Sequence, residues 1–196
     1  MYTSLTEVQH QCQDCTACDL SHSRTQVVFS AGNPHASCMI IGEAPGQQED
    51  ECGEPFVGRS GKLWMQLLAE VGIHRERDVY ICNTVKCRPP QNRKPTLAEK
   101  EACRSFLEAQ IRWVRPKLIV LCGATAVQSL LPDEKRSITQ IRGQWFERTL
   151  FEEAVKIMPV FHPSYLLRHH SLEAGKPRAL MRQDLLEIKR QLASYS

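Results

Sequence analysis

Short apolar runs, separated by polar or glycine-rich breaks, dominate the central part of this chain. Four of them, residues 38–41, 79–82, 118–122 and 155–161, have the length and composition of buried strands. The segments between them repeat apolar residues three or four positions apart, which predicts helices. Because strands that alternate with helices form a largely parallel sheet, we expect a three-layer α/β/α fold with a central, mainly parallel four-stranded sheet.

The predicted helices begin where the sequence offers capping signals. Thr96 and Glu99 form the capping-box pattern, and Ser60 is placed to cap a helix over residues 61–71. A proline suits the first turn of a last helix over residues 177–193, and a first, polar helix is expected near Ser4 or Thr6. The weaker predictions are a short strand at 27–29, a turn at 31–34 and a peripheral strand at 138–146 in a hairpin.

Polar or glycine residues follow all four predicted strands at their carboxyl ends. Gly42 and Glu43 follow the first strand, Asn83 the second, Gly123 the third and His162 the fourth. In open parallel sheets these ends meet at one edge, where ligands bind. The sequence therefore predicts a binding site built from four segments that lie far apart in the chain.

Composition narrows the class of protein. The 196 residues are 42% hydrophobic and 24% charged, which suits one globular domain over residues 1–196. No apolar run approaches the roughly 20 residues that cross a bilayer, and no signal peptide opens the chain, so we expect no membrane partner and a cytoplasmic, nucleoid-associated location. A net charge of +3 does not by itself predict a nucleic-acid partner. The basic groups near proline-rich loops either meet phosphates or are simply solvated.

Nine cysteines in a reducing compartment favour thiolate ligands or buried apolar side chains over disulfides. Cys15 and Cys18 form a Cys-x-x-Cys pair, and with Cys87 and Cys103 they make a set of four soft ligands. Such a set suits an iron–sulfur cluster or structural zinc, and the spacing does not choose between them. Cys12 could replace Cys15 or be exposed. The cysteines expected in the core are Cys38, Cys82 and Cys122.

Four residues near the predicted sheet edge each have a structural and a functional interpretation. Glu43 is either part of a turn or an acid exposed to a ligand, and Phe56 either fills the core or stacks on a planar ring. Asn83 is a turn residue or an amide that pairs with one donor and one acceptor, and His162 is a rim histidine or a donor to a developing anion. A phosphate-binding P-loop is excluded, because residues 58–62 have the wrong spacing.

Together these features resemble the family-four uracil-DNA glycosylases, the iron–sulfur branch of the uracil-DNA glycosylase superfamily. The similar motifs are Cys15-Thr-Ala-Cys18, Val28-Phe29, Ile41-Gly-Glu-Ala-Pro-Gly46, Glu54-Pro-Phe-Val-Gly58, the segment 83–93, Cys103 and the segment 161–168. The resemblance implies a DNA repair hydrolase that flips uracil out of single- or double-stranded DNA, cleaves its N-glycosidic bond and leaves an abasic site. It also implies a structural [4Fe-4S] cluster, whose ligands would be Cys15, Cys18, Cys87 and Cys103. The cluster would clamp the amino-terminal segment to the loop at 86–95, and we expect a monomer.

The resemblance also implies roles in base recognition and catalysis. Phe56 would stack on the flipped uracil, Asn83 would pair with its N3–H and O4, and the backbone after Gly42 and His162 would bind O2. His162 would donate to O2 as the bond breaks, and Glu43 would orient water or stabilise the cationic sugar.

Further positions follow from the same resemblance. Glu49 would lie near C5 of uracil, where the site must exclude the methyl group of thymine. Leu166 would be the wedge that fills the vacated base stack. The predicted DNA-binding residues are Arg88, Arg93, Ser164, Leu166 and Arg168.

Ala44 leaves the activation of water open. Other glycosylase classes carry an Asp or Asn that activates water at this position. Here either Glu43 activates the water instead, or the leaving group is activated so strongly that the water needs little activation. A histidine-bearing basic insert, found in a branch that bonds covalently to DNA, is absent between Asn92 and Thr96.

Two other functions remain: a catalytically weak uracil- or DNA-binding module of a replication assembly, and a zinc-stapled nucleotide-binding protein.

Overall fold

The computed structural model describes residues 2–195, so Met1 and Ser196, the ends of the predicted domain, lie outside the described part. Its strands are β1 (Ala31–Gly32), β2 (Cys38–Gly42), β3 (Val79–Asn83), β4 (Leu118–Cys122), β5 (Phe146–Leu150) and β6 (Glu153–Val160). They form one sheet in the order β1-β3-β2-β4-β6-β5. The central strands β3, β2, β4 and β6 are parallel, and β1 and β5 pair antiparallel at the two edges. The parallel strands are the four predicted from the apolar runs, and the edge strands widen the sheet.

Helices connect the strands and cover the sheet. They are α1 (Leu5–Gln13), α2 (Leu20–Ser23), α3 (Gln47–Cys52), α4 (Arg59–Glu70), α5 (Arg75–Asp78), α6 (Leu97–Val114), α7 (Ala124–Leu130), α8 (Ile138–Ile141), α9 (Pro163–Leu166) and α10 (Pro177–Leu192). Short 3-10 turns cover Pro90–Asn92 and Ala193–Tyr195. Within residues 2–195, no helix is both long and apolar enough to cross a membrane.

The two faces of the sheet are covered by different helices, because alternate residues of each strand point to opposite sides. On one face, Ile40 belongs to a buried cluster with Trp64 of α4 and Leu185 of α10. On the other face, Ile41 belongs to a cluster with Ile111 of α6. These layers confirm the predicted α/β/α fold class.

The helix starts agree with the capping signals at α6 but not at α4. The hydroxyl of Thr96 accepts the N–H of Glu99 at 3.2 Å, and the Glu99 carboxylate accepts the N–H of Thr96 at 2.7 Å. The predicted Ser60 cap is wrong, because α4 begins one residue before it. Instead, Glu49 of α3 accepts the N–H of Gly58, the N-cap residue of α4, at 2.8 Å, so a carboxylate from another helix anchors the start of α4.

The predicted strand at 27–29 is wrong. Val28 makes an isolated hydrogen bond there, from its N–H to the carbonyl of Lys86 at 2.8 Å. The residues that do pair with β3 are Ala31 and Gly32, which the sequence suggested as a turn.

The predicted strand at 138–146 is also wrong over most of its length. Residues 138–141 form α8, because the side chain of Gln140 accepts the N–H of Ser137 at 2.9 Å and supports a helical turn. A hairpin is present, but its arms are β5 and β6. Phe151 and Glu152 join the arms with φ angles of +50° and +74°, which is the geometry of a tight two-residue hairpin turn.

Candidate active site

A cavity of about 580 Å³ opens at the carboxyl ends of the parallel strands. Its walls include residues 43–46 after β2, Asn83 at the end of β3, residues 123–125 after β4 and His162 after β6. Gly42 pairs with Asn83 as the last step of the β2–β3 ladder, so the register of the sheet brings these two segments together. The four segments predicted to converge at one edge therefore do so.

The predicted site residues divide into two groups by position. Those that line the cavity are Glu43, Glu49, Phe56, Asn83, Arg93, His162 and Ser164. Gly42 lies directly under Phe56 and Asn83, since a side chain on it would overlap both. Arg88, Leu166 and Arg168 do not line the cavity.

Phe56 forms part of the floor in an unusual backbone conformation. Its φ angle is +58°, in the left-handed region that disfavours residues with a side chain. Gly61 of α4 permits this conformation, because a Cβ atom there would overlap the backbone of Phe56. Phe56 is only 8% exposed, and Asn83 beside it is 3% exposed. Both side chains are therefore held tightly within the wall of the cavity.

Glu49 holds the Phe56 loop from the other side. Its Oε1 atom accepts the backbone N–H groups of Val57 at 3.1 Å and of Gly58 at 2.8 Å. The carboxylate is 8% exposed and lines the cavity. Two charge-assisted hydrogen bonds to consecutive amides fix the loop that carries Phe56.

His162 is half-buried at the start of α9. Its Nδ1 atom accepts the backbone N–H of Ser164 at 3.2 Å and lies 2.7 Å from the Ser164 hydroxyl. Because Nδ1 is an acceptor, the ring carries its proton on Nε2 in the neutral form. Burial lowers the pKa of His162 below its ordinary value, and the nearby Glu43 opposes that shift only in part. The imidazole is therefore neutral near pH 7 and can donate one hydrogen bond from Nε2.

Glu43 is fixed through its backbone. The carbonyl of Glu43 accepts the Thr84 hydroxyl at 2.6 Å, and the N–H of Thr84 donates to the carbonyl of Gly42 at 2.9 Å. These bonds extend the β2–β3 pairing by one residue past the ladder. The partly exposed side chain of Glu43 can therefore face the cavity from a rigid support.

The predicted DNA-binding residues have different surroundings. Arg93 donates to the Glu99 carboxylate from both terminal nitrogens, at 2.8 Å and 2.6 Å, so much of its charge is already paired. Arg88 donates to Oδ1 of Asn92 at 2.8 Å, and Arg168 is exposed. The arginines therefore differ in how much of their charge is free for a phosphate.

Leu166 does not fit its predicted role as a wedge. Its side chain is fully buried, in the same apolar cluster as Trp64 and Leu185. A residue that enters a base stack must be able to leave the protein surface, and moving Leu166 would open a hole in the core. Its neighbour Leu167 is partly exposed. Because Leu166 and Leu167 are consecutive leucines, the sequence does not show which of them points outward.

Comparison with known proteins places this chain in a family. Residues 29–186 match the model of the uracil DNA glycosylase superfamily. A type-4 uracil-DNA glycosylase of Thermotoga maritima is 47% identical over 93% of this chain and 91% of its own length. Proteins of the same description from Archaeoglobus fulgidus and Sulfurisphaera tokodaii are 41% and 37% identical, over 84% and 95% of this chain and 83% and 84% of their own. The chain belongs to the type-4 uracil-DNA glycosylases. The family named from the motifs is thereby confirmed.

A second, smaller cavity of this type-4 glycosylase contains five thiols. It measures about 20 Å³, and its cysteines are Cys12, Cys15, Cys18, Cys87 and Cys103. Arg24 reaches it from one side, with Nη1 donating to the carbonyl of Cys15 at 2.7 Å and to the Cys87 sulfur at 3.4 Å. Lys86 lines it from another side. A thiol-rich cavity with two cations in its wall suits an anionic metal–thiolate group.

The thiols are not grouped around a single point. Among residues 2–195, no three His, Cys, Asp or Glu side chains are placed to hold one metal ion. In a [4Fe-4S] cluster each thiolate binds a different iron, so its four sulfurs surround the cluster without converging on one atom. The cysteines around this cavity are donors that such a cluster can use.

Several residues of these sites carried no clear signal in the sequence. Asn92 and Lys94 line the larger cavity from the proline-rich loop, and Thr125 lines it from α7. Gly61 could have been suspected, since a glycine in the first turn of a helix lowers helix propensity without an evident local reason. Lys86 gave no signal at all, because a lysine beside a cysteine looks like a surface residue.

Proposed function

We propose that this chain flips a uracil nucleotide out of DNA and hydrolyses the bond between C1′ of the sugar and N1 of the base. The observation that carries the proposal is one cavity that holds a stacking ring, a buried amide, an acid and a neutral histidine: Phe56, Asn83, Glu43 and His162. Membership of the type-4 uracil-DNA glycosylases supports the same reaction. The products are free uracil and an abasic site, as base excision repair requires.

Base recognition follows from the floor of the cavity. Phe56 offers a ring face for stacking, and Asn83 offers an amide with one acceptor and two donor positions. Uracil presents N3–H as a donor and O4 as an acceptor, which an amide can bind together. Cytosine exchanges this donor and acceptor, so the fixed amide would face two mismatched groups. Glu49 places a carboxylate in the wall, which disfavours the methyl group of thymine.

Bond cleavage sends the electron pair of the C1′–N1 bond into the uracil ring and leaves positive charge on the sugar. The Nε2–H of His162 is proposed to donate to O2, where negative charge grows, together with backbone groups after Gly42. Since such a bond is strongest in the transition state, losing one donor of this type commonly costs about a hundredfold in rate. Water adds its oxygen to C1′ and releases a proton, and the uracil anion gains one.

Glu43 is the proposed residue on the sugar side. Its carboxylate can stabilise the cationic sugar or orient the incoming water, and its backbone is held by Thr84. Ala44, the next residue, also lines the cavity and has no side-chain group that could activate water. Glu43 is therefore the acid in this loop on which hydrolysis depends.

The DNA would approach across the mouth of the cavity. Extrusion of the nucleotide costs a few kcal/mol in lost stacking and pairing. Arg168, Ser164 and Arg88 are the proposed contacts to the strand, with Arg93 contributing less because Glu99 neutralises it. The substrate is uracil in single- or double-stranded DNA, handled by a monomer of one domain in the prokaryotic cytoplasm, at the nucleoid when bound.

The smaller cavity is the proposed cofactor site. Cys15, Cys18, Cys87 and Cys103 would hold a [4Fe-4S] cluster, which would supply a rigid link between the amino-terminal segment and the proline-rich loop. Arg24 already bridges these two parts of the chain through the carbonyl of Cys15 and the sulfur of Cys87. The proposed role of the cluster is structural.

A glycosylase assay tests the reaction directly. Matched oligonucleotides that contain U, T, hypoxanthine or C are incubated with the protein in EDTA, and released base is measured. We expect release of uracil alone, with a loss of about a hundredfold or more in His162→Ala and Asn83→Ala. His35→Ala, an exposed histidine ahead of the amino-terminal end of β2, is the matched control. Uracil-DNA binding without release would indicate the binding module instead, and full activity in both site variants would overturn the site assignment.

A further inference from the structure

Lys86 is a buried lysine between the two cavities. It follows β3, its side chain has no exposed surface, and it ranks among the largest fully buried side chains of the chain. Its Nζ atom donates to the carbonyl of Asn83 at 2.6 Å and to Oε1 of Gln110 at 2.5 Å. Lys86 therefore connects the end of the strand that carries Asn83 to helix α6.

The hydrogen bonds of Nζ suit an ammonium group. Both partners are carbonyl oxygens, which can only accept. An ammonium has three donors and no acceptor, so it can donate to both oxygens and keep one N–H for a further acceptor. Gln110 is itself oriented by donating to the carbonyl of Phe29 at 3.0 Å and to the Tyr80 hydroxyl at 3.1 Å. The network thus presents its carbonyl oxygen to Lys86.

A buried cation requires a compensating charge. Leaving a charge unpaired in the interior costs several kcal/mol, so buried lysines are normally paired with a carboxylate. Across residues 2–195, no carboxylate lies within ion-pair distance of Lys86. The hydrogen-bond acceptors around Nζ are neutral groups, so they do not supply the missing charge.

The cysteine cavity is where that charge can come from. Lys86 lines it together with the five thiols, and it interacts electrostatically with Cys12 and Cys103. Thiolates that ligate a cluster are negative, and the sum of four thiolates and a cubane of four irons and four sulfides is an anion. Arg24 meets the same cavity beside Cys87. Two cations thus face a group of cysteines that has no acidic side chain in its wall.

We propose that Lys86 is the buried counter-charge of the metal–thiolate group, and that it raises the reduction potential of the cluster. The inference rests on the cofactor proposed above. A nearby positive charge stabilises the more negative, reduced state of the cluster, so its removal shifts the potential to more negative values. The same ammonium donates to the carbonyl of Asn83. The negative charge of the cysteine cavity, by stabilising this ammonium, therefore also stabilises the end of β3 that carries the proposed base-recognition residue.

A purely structural role for Lys86 makes a different prediction. If the side chain served only to bind Asn83 and Gln110, replacing it would lower stability without changing the potential of the cluster. In that case Lys86→Arg, which keeps the charge but alters those hydrogen bonds, would behave like Lys86→Met, which loses both the charge and the hydrogen bonds. The potential separates the two interpretations, because it responds to charge near the iron.

The test uses anaerobically purified wild-type protein, Lys86→Met, Lys86→Arg and Lys117→Met. Lys117 is exposed and precedes the amino-terminal end of β4, so its replacement removes the same charge far from the thiols. Iron content and visible absorbance are measured first, and the potential of the one-electron couple is then measured by protein-film voltammetry. We expect a more negative potential and faster iron loss to a chelator in Lys86→Met, with values near wild type in Lys86→Arg and Lys117→Met.

The outcomes separate this inference from the cofactor proposal. Wild-type protein without iron would overturn both. Iron in the wild type together with an unchanged potential in Lys86→Met would overturn the role of Lys86 alone. If Lys86→Met is not recovered folded, recovery of Lys86→Arg with iron supports a required charge, and failure of both variants overturns the inference in favour of a packing role.

Discussion

The ring of Phe56 lies so close above Gly42 that a methyl group on Gly42 would stand 2.7 Å from Cζ of Phe56. Gly42 ends β2, and Phe56 lies on the loop before α4. The contact is possible only because glycine has no side chain, and the same methyl group would overlap Oδ1 of Asn83. The position of the Phe56 ring and that of the Asn83 amide beside it therefore depend on one glycine.

We expect Gly42→Ala to lower uracil release by about a hundredfold, because a displacement near 1 Å in the site can cost that much. The overlap should also lower the free energy of unfolding by about 1–3 kcal/mol, as overpacking of cores does. Single-turnover kinetics and urea denaturation measure the two effects. Gly72→Ala is the control: its methyl group meets only the end of Lys189 at 4.0 Å, and its positive φ costs stability away from the cavity. Equal losses of activity in both variants would show that stability alone is responsible.

The burial of His162 predicts how its ring titrates and how it changes stability with pH. Burial lowers its pKa below the ordinary value of 6.5, so the neutral, donating form persists into mildly acidic solution. Between the lowered value and 6.5 the unfolded chain binds more protons at this residue than the folded chain does, so His162 makes stability rise with pH across that window and fall as the solution becomes more acidic. We expect the ring to titrate below 6.5 in an NMR titration of histidine Cε1 resonances. The resonance is assigned by its absence in His162→Gln, and a pKa above 6.5 would contradict the neutral donor.

Arg93 and Arg168 should differ in their effect on DNA binding. Arg168 is exposed, whereas Arg93 is paired with Glu99, whose pKa it lowers to about 2. Each lost phosphate contact reduces the slope of log K against log salt by about 0.9 on duplex DNA. We expect Arg168→Ala to reduce the slope by about that amount and Arg93→Ala by clearly less. Fluorescence anisotropy on a non-cleavable 2′-fluoro uracil duplex between low and high salt measures both, and equal slopes would show that DNA displaces Glu99 from Arg93.

The sequence predicted the rim of the site better than its details. The four central strands were evident because each is a short apolar run, and Asn83 and His162 stood out as the polar residues that end such runs. A shift of one residue in strand register would reverse which side chains face inward. The sharp change from apolar to polar residues at the end of each strand marks the correct register. The cavity at the carboxyl edge follows from these two features and the parallel topology.

The features that the sequence did not reveal depend on contacts between distant segments. The hairpin turn at Phe151 and Glu152 has positive φ angles without the Gly or Asn that usually mark them, so its position was missed. Glu49, from another helix, accepts the N–H of Gly58 just before α4, and Lys86 is buried by its neighbours in space and not by an apolar sequence. Leu166 and Leu167 are chemically equivalent in the sequence, and only the packing of α9 distinguishes them.

Leu166 should behave as a core residue. Its side chain has no exposed surface, so Leu166→Ala should lower the free energy of unfolding by about 2–5 kcal/mol, whereas the partly exposed Leu167 should tolerate alanine with a small loss. A wedge would instead affect release of uracil from duplex DNA more than from single strands. Urea denaturation and activity on both substrates are measured for the two variants. A stable Leu166→Ala variant with a loss only on duplex DNA would restore Leu166 as the wedge.

The cysteine cavity predicts which thiols retain iron. Cys15 is partly exposed at the cavity, while Cys12 in α1 is 1% exposed, less than the proposed ligands Cys87 and Cys103 at 8% and 9%, with which it shares an apolar cluster. We therefore expect Cys15→Ser to lose the iron of one [4Fe-4S] cluster per chain and Cys12→Ser to keep it. Cys38→Ser, a buried thiol of β2 whose pKa burial raises to about 12, is the control for stability loss without iron loss. Iron analysis and visible absorbance are measured on anaerobic preparations, and the reverse result, iron lost with Cys12 and kept without Cys15, would make Cys12 the ligand.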